Sequence, residues 1–360
     1  MTEGSGPDIL FEVRGAAGLV TLNRPRALNA LTLAMADAML AQLDAWAADD
    51  AVTRVVVRGA GGRAFCAGGD IRQIYELGRE GRLDEVSAFW TAEYRLDAAI
   101  RAYPKPYVSL IEGIVMGGGV GISLHGSHRV AAENYSFAMP EVGIGFFPDC
   151  GTTYALPRLP DQAGTYLALT GNRIGASDAL ALGLATHYSP AAKFDTILDL
   201  LCEGGDVDAS LSPHTAQAPA PGPLRTQRAL MATAFSADTV SEILVRLDRM
   251  APDSAFAAET ASLMRTRSPT SLCIAREQMR RGAVSSFEEA QRLEYRLAVR
   301  ATEGGDFYEG VRAAIVDKDG KPAWSPATLA EVDPDAIAAR FGPLEQPEPV
   351  IGPEWTGPLS

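Results

Sequence analysis

From Ile9 to Pro25 the chain alternates apolar and polar residues about a glycine-bearing turn (ILFEVRGAAGLVTLNRP), which predicts a β-hairpin. The period then changes. Leu28, Leu31, Met35, Met39, Leu43 and Trp46 recur every three or four residues, the spacing of one apolar helix face. VTRVVVRG is a β-branched run dense enough for a strand covered on both sides. A charged helical stretch follows from about Asp70 to Arg101 and stops before Pro104 and Pro106. YVSLIEGIV reads as a second buried strand running into a glycine-rich helix start, and HRVAAENYSFAMPE as two short strands. Repeated strand–loop–helix units predict an α/β fold with right-handed crossovers.

The texture shifts again near residue 204. GGDVDASLSPHTAQAPAPGP, residues 204–223, is rich in Pro, Ala and Gly and reads as a linker or loop. Beyond it five stretches carry helical periodicity: LRTQRALMATAF, TVSEILVRLDRM, SAFAAETASLMRTR, SLCIAREQMRRGA and SFEEAQRLEYRLAVRAT. The expected organisation is an α/β core over 1–203, a linker over 204–223, a helical region over 224–341 and an extended Pro-rich tail over 342–360.

Composition narrows the function classes. A net charge of −13 over 360 residues argues against a nucleic-acid partner, which needs a basic face. A local arginine beside free backbone N–H groups still accommodates an anionic ligand on an acidic protein. The four cysteines, Cys66, Cys150, Cys202 and Cys273, have no paired spacing, so free thiols in a reducing compartment are expected. No HExxH or similar ligand pair occurs, so no metal site is expected. The first residues form no basic apolar secretory segment, and no apolar run reaches the roughly 18 residues of a membrane span. These readings place the chain in the cytosol, away from membranes.

Two glycine-rich stretches follow predicted strands and open helices: FCAGGD (Phe65 to Asp70) and MGGGVG (Met116 to Gly121). Glycine lets a ligand approach the backbone, and a helix start offers unpaired N–H groups. Two such groups converging on one oxygen make an oxyanion hole. For either stretch alone, tight turns or close helix packing are the better account. Neither is a Walker loop or a GxGxxG fingerprint. A third stretch, AMPEVGIGFFPDCGTTYALPRL, sets Glu141 and Asp149 among apolar residues and glycines. Such carboxyls are costly to bury without a purpose, be it acid–base or nucleophilic chemistry, a helix cap or an ion pair.

Taken in order, NRPxxLNAL, FCAGGD, MGGGVG and MPEVGIGFFPD resemble the crotonase (enoyl-CoA hydratase/isomerase) superfamily. The resemblance implies a spiral of ββα units followed by a helical C-terminal region. It implies oxyanion donors at the N–H groups of Ala67 and Gly118, and coenzyme A contacts at Arg26, Ala67, Gly68, Gly69 and Asp70. Hydratases of the family carry two glutamates. The first of those positions is Gly121 here, which opens space, and only the second, Glu141, is retained.

Over roughly residues 9–333 the chain is more similar to the 3-hydroxyisobutyryl-CoA hydrolase branch. GGRAFCAGGDIR, KPYVSLIEGIVMGGGVGISLHG, FAMPEVGIGFFPDCG and EYRLAVRATEGGDFYEGVRAAIVDKD all fit that branch. There Glu93, Gly118, Glu141 and Asp149 match the substrate-contacting positions. Taken by itself, Glu93 in FWTAEYRLD also reads as a solvated helical charge.

The implied chemistry is thioester hydrolysis, as in valine catabolism. Glu141 attacks the carbonyl or activates water, and Asp149 binds the substrate's hydroxyl. No cofactor beyond the coenzyme A of the substrate is implied, and the family's habit is a trimer-based homo-oligomer. An enoyl-CoA isomerase or hydratase and a non-catalytic acyl-CoA-binding protein are the alternatives. Cys66, with no histidine tied to it, reads as a small buried residue, and His125 and His128 read as structural.

Overall fold

The computed structural model of the chain describes residues 6–216 and 220–351. The opening alternation forms the expected hairpin: β1 (Ile9–Arg14) pairs antiparallel with β2 (Ala17–Leu22). Helix α1 spans Leu33–Ala47 and buries Met35, Met39, Leu43 and Trp46. It begins later than its periodicity implies. Leu28 and Asn29 are left-handed (φ 51° and 58°), and the Thr32 hydroxyl caps the helix by accepting from the Met35 N–H at 3.2 Å.

Next come β3 (Arg54–Gly59), β4 (Ala64–Cys66), α2 (Ile71–Arg79) and α3 (Leu83–Arg101), so the charged stretch is two helices with a turn between them. YVSLIEGIV likewise splits, into β5 (Tyr107–Ile111) and β6 (Ile114–Met116). Then α4 (Gly118–Leu124), β7 (His128–Ala131) and β8 (Ser136–Ala138) follow.

The splits build the architecture. Parallel strands β2, β3, β5, β7 and β9 (His187–Tyr188), with β1 at the edge, form a six-stranded sheet in the order β1-β2-β3-β5-β7-β9. Strands β4, β6 and β8 form a second, parallel three-stranded sheet. The chain crosses from the first sheet to the second three times, at β3/β4, β5/β6 and β7/β8, and each crossing leads into a helix or helical turn. This is the implied ββα spiral.

Between β8 and β9 lie α5 (Thr152–Ala155), α6 (Ala163–Thr170) and α7 (Ala176–Ala181); α8 (Phe194–Glu203) follows β9. The expected linker holds a short helix, α9 (Val207–Leu211), which buries Val207 and Leu211 against strand residues Val56, Val108 and Leu110. Apolar contact orders residues 207–211 despite the composition around them. The five predicted helices are α10 (Leu224–Ala234), α11 (Val240–Met250), α12 (Ala255–Met264), α13 (Pro269–Gly282) and α14 (Phe287–Thr302). Two short helices, α15 (Asp306–Val311) and α16 (Pro334–Ala339), complete the set. Met231, Ile243, Met264 and Leu272 share one apolar cluster with Val20, Val55 and Phe137 of the strands, so the helical region and the α/β part have a common core. From 342 to 351 the tail is neither helix nor strand, and Arg296 pairs with Glu348 at 2.7 Å. The rest of the predicted tail, 352–360, lies outside the described residues. No helix among the described residues is long and apolar enough to cross a membrane.

Gly113 makes the β5/β6 corner at φ +76°, and a Cβ there would collide with the Arg63 carbonyl. Gly113→Ala is therefore expected to cost about 1–3 kcal/mol, read as a lower urea midpoint at unchanged m-value. An unshifted midpoint would show that the corner does not depend on this residue.

Candidate active site

Because β4, β6 and β8 run parallel and side by side, the segments leaving their C-terminal ends meet. Ala67–Asp70 follows β4, Gly117–Gly118 follows β6, and Pro140–Glu141 follows β8. Together with Trp90 and Glu93 of α3, they line a cleft of about 610 Å³. Open parallel sheets place ligand crevices at this end of their strands. Leu28, Ile71, Ile144, Phe146 and Ile315 add apolar walls.

The oxyanion prediction needs one correction. The Ala67 N–H already donates to the Leu28 carbonyl at 3.0 Å and is not available. Two residues on, the Gly69 N–H has no acceptor among the described residues, because the bridge to Leu31 uses Gly68 O and Asp70 N instead. Gly118 opens α4 after Gly117 turns the chain at φ +46°, so its N–H is one of the donors a helix start leaves unpaired. The two backbones are close. A methyl group at position 118 would lie 3.3 Å from the Gly69 nitrogen and strike the Glu93 carboxyl. Gly69 and Gly118 thus present two unpaired N–H groups side by side at the cleft.

Glu141 stands at the head of a single 3-10 turn, Glu141–Ile144, held by Pro140 before it. Its Oε1 lies over Gly117, within 3.2 Å of where a Cβ would be, and its buried Oε2 has no hydrogen-bond partner. Asp149 is 3% exposed, and its Oδ2 accepts from the Tyr94 hydroxyl at 2.8 Å. Glu93 is 1% exposed and lines the cleft, which removes its reading as a solvated helical charge. One side-chain atom each from Glu93, Asp149 and Cys150 lies within 4.8 Å of the others.

Burial and mutual repulsion set the protonation of these groups. Burial, then Asp149, push the Glu141 carboxyl well above the usual carboxylate range. Glu93 rises in the same way, again through burial and then Asp149. Asp149 itself is raised by burial but pulled back by hydrogen bonds from Tyr94 and Cys150, and it settles at about 6. Asp149 is the readiest of the three to carry the negative charge.

Sequence reasoning missed Asp97. It sits one helical turn beyond Glu93, fully buried, with neither carboxyl oxygen partnered. Its signal was the i,i+4 spacing from Glu93, which puts both on one face of α3. Asp97 also corrects the expectation that Gly121 opens space: a Cβ at 121 would collide with the Asp97 carboxyl. Among the basic residues, Arg24 and Arg72 line the cleft, whereas the expected Arg26 is exposed and does not. Arg24 donates to Asp70 at 2.9 Å. Cys66 is buried with its thiol pushed up to about 12, an inert small residue. His125 is structural: its half-buried ring, pushed down to about 4 by desolvation, pairs through Nε2 with the Cys150 carbonyl at 2.8 Å.

Residues 17–341 match the enoyl-CoA hydratase/isomerase family. The chain is 44% identical over 355 residues to a zebrafish (Danio rerio) protein named 3-hydroxyisobutyryl-CoA hydrolase, mitochondrial, covering 96% of this chain and 92% of that one. The human protein of the same name is 40% identical over 346 residues, 94% and 89% of the two chains. A crystal structure titled carnitinyl-CoA dehydratase, from Mycobacterium thermoresistibile, superposes with a TM-score of 0.89 at 44% identity, covering 94% and 98%. One titled enoyl-CoA hydratase, from Rhodobacter sphaeroides, gives 0.87 at 40% identity with the same coverages. The expected cytosolic location is overturned by the hydrolase relatives, which are named as mitochondrial. That expectation rested on the lack of a secretory segment and of a membrane span, and neither distinguishes cytosol from an organelle interior. Family match, extended identity and the three-corner cleft agree: the chain belongs to the enoyl-CoA hydratase/isomerase family.

Proposed function

We propose that the chain hydrolyses the thioester of 3-hydroxyisobutyryl-CoA, or of a close short-chain hydroxyacyl-CoA, to the free acid and coenzyme A. One observation carries this reading. Glu141 lies over Gly117, next to the free Gly118 N–H, and Glu93 reaches the same corner, while position 121, where the two-glutamate hydratases carry their first glutamate, is a glycine walled off by Asp97. Adding water across a double bond in this family calls on two glutamates; cleaving a thioester needs one carboxylate and an oxyanion hole. The relatives named as hydrolases support the same choice. The solved structures carry dehydratase and hydratase titles, which makes that chemistry the reading to test against.

In the proposed reaction the Gly69 and Gly118 N–H groups hold the thioester oxygen as it becomes an oxyanion, a contribution of roughly 10²–10³ in rate per donor. Glu141 either attacks the carbonyl carbon, giving a mixed anhydride that water opens, or takes a proton from the attacking water; both routes expel the coenzyme A thiolate. Trapping an acyl–Glu141 adduct separates them. Asp149, the readiest carboxylate, accepts from the substrate's hydroxyl, with Glu93 beside it. Arg24 and Arg72 at the mouth, with Ala67, Gly68 and Asp70, face the coenzyme A portion. The chain's own side chains suffice for these steps, coenzyme A entering only with the substrate. Valine breakdown supplies such a thioester, and a trimer-based assembly is the expected state in solution.

Thiol release from 3-hydroxyisobutyryl-CoA should fall by roughly 10²–10⁴-fold in Glu141→Gln, with the crotonyl-CoA double-bond absorbance untouched by the wild type. Loss of that absorbance without thiol release would return the chain to the hydratase reading. Asp149→Asn should lower discrimination between 3-hydroxyisobutyryl-CoA and isobutyryl-CoA by about 10-fold or more. The pH profile offers a third check. Glu141 works as a carboxylate and its proton affinity is raised, so kcat/KM should climb with pH beyond the ordinary carboxylate value of 4.5. Asp149→Asn removes a neighbouring like charge and should move that rising limb to lower pH. A limb that stays in place would refute the coupling.

A further inference from the structure

The turn that carries Asp149 is unusual in both conformation and support. The Thr152 N–H and hydroxyl donate to the Asp149 carbonyl at 3.1 and 2.7 Å, closing a four-residue turn. Both central residues, Cys150 and Gly151, are left-handed (φ 58° and 77°). For a cysteine this conformation is costly and persists only where the surroundings enforce it.

The surroundings come from the C-terminal helices. Glu294 of α14 has no solvent exposure, and its two carboxyl oxygens accept from the Gly151 N–H at 2.7 Å and the Thr153 N–H at 2.8 Å. Gln278 of α13 is equally buried, and its amide nitrogen donates to the Pro148 carbonyl at 2.9 Å and to the Thr153 hydroxyl at 2.8 Å. These four hydrogen bonds, three to backbone groups and one to the Thr153 hydroxyl, grip the chain on both sides of Asp149. Neither residue lines the cleft.

We propose that Glu294 and Gln278 are positioning residues that aim the Asp149 carboxylate, so that preference for a hydroxyacyl substrate depends on the C-terminal helical layer. This rests on the reading of Asp149 as the partner of the substrate's hydroxyl. A shift on the order of 1 Å in a positioned group changes rates by up to about 100-fold, so the effect belongs in selectivity. In Glu294→Gln one amide oxygen still accepts an N–H, but the new NH₂ faces the other N–H, donor against donor. In Gln278→Met the Pro148 carbonyl loses its donor while the side-chain volume is nearly kept.

The test is the ratio of kcat/KM for 3-hydroxyisobutyryl-CoA to that for isobutyryl-CoA in purified full-length variants, alongside a thermal melt. The ratio is expected to fall about 10-fold in Glu294→Gln, to fall in the same direction in Gln278→Met, and to show no further loss when Glu294→Gln is added to Asp149→Asn. Sites acting through one another should be non-additive in this way. A lowered melting temperature with the ratio intact in both variants, while Asp149→Asn still lowers it, overturns the proposal and leaves the Asp149 assignment standing. A ratio unmoved by Asp149→Asn overturns that assignment and this proposal with it. If Glu294→Gln does not fold, Gln278→Met alone and in the Asp149→Asn background decides by the same criteria.

Discussion

Five carboxyl groups, those of Glu93, Asp97, Glu141, Asp149 and Glu294, share one interior, and no lysine or arginine is among the groups that shift them. Two unit charges about 5 Å apart at an effective dielectric near 20 repel by about 3 kcal/mol. Without a buried cation the cluster cannot hold many charges at once, so most of its members keep their protons. Asp149 is held at about 6 because Tyr94 and Cys150 donate to it, and Glu294 at about 8, where two backbone N–H donors pull back part of the rise from burial. The site is therefore a ranked set of proton affinities, and the ranking comes from who donates to whom. Negative charge then settles most readily on Asp149, while burial and repulsion make Glu93, Asp97 and Glu141 hold their protons more tightly than ordinary acids.

The fold serves this cluster in two ways. The small parallel sheet aligns three chain corners so that backbone N–H groups and Glu141 arrive together. Helices α3, α13 and α14 then close around them and keep water away from the carboxyls. Without that closure the groups would titrate as ordinary surface acids, and Glu141 would lose its raised basicity.

Much of the fold was legible because period-two and period-3.6 patterns survive folding. The hairpin, the buried strand at 54–59 and all five C-terminal helices follow from them. The corner at Gly113 and the short helix at 207–211 did not, since one is a single backbone angle and the other depends on apolar partners distant in sequence. At the site, Glu141, Asp149 and Gly118 were readable as polar or flexible residues in apolar company. That the free N–H is at Gly69 and not at Ala67 was not readable, because which N–H of FCAGGD stays free is decided by the carbonyls of Leu28 and Leu31, which lie far back in the chain. Glu93 and Asp97 carry the composition of a surface helix and become interior only when α4 packs on α3.

The contact between Asp97 and Gly121 ties the two positions together. A glutamate arriving at 121 meets a carboxyl already in its place, and trimming Asp97 alone leaves an unfilled pocket behind Glu93. A side chain at 121 therefore requires a change at 97 as well. Redesign toward a two-glutamate cleft would have to move both positions together.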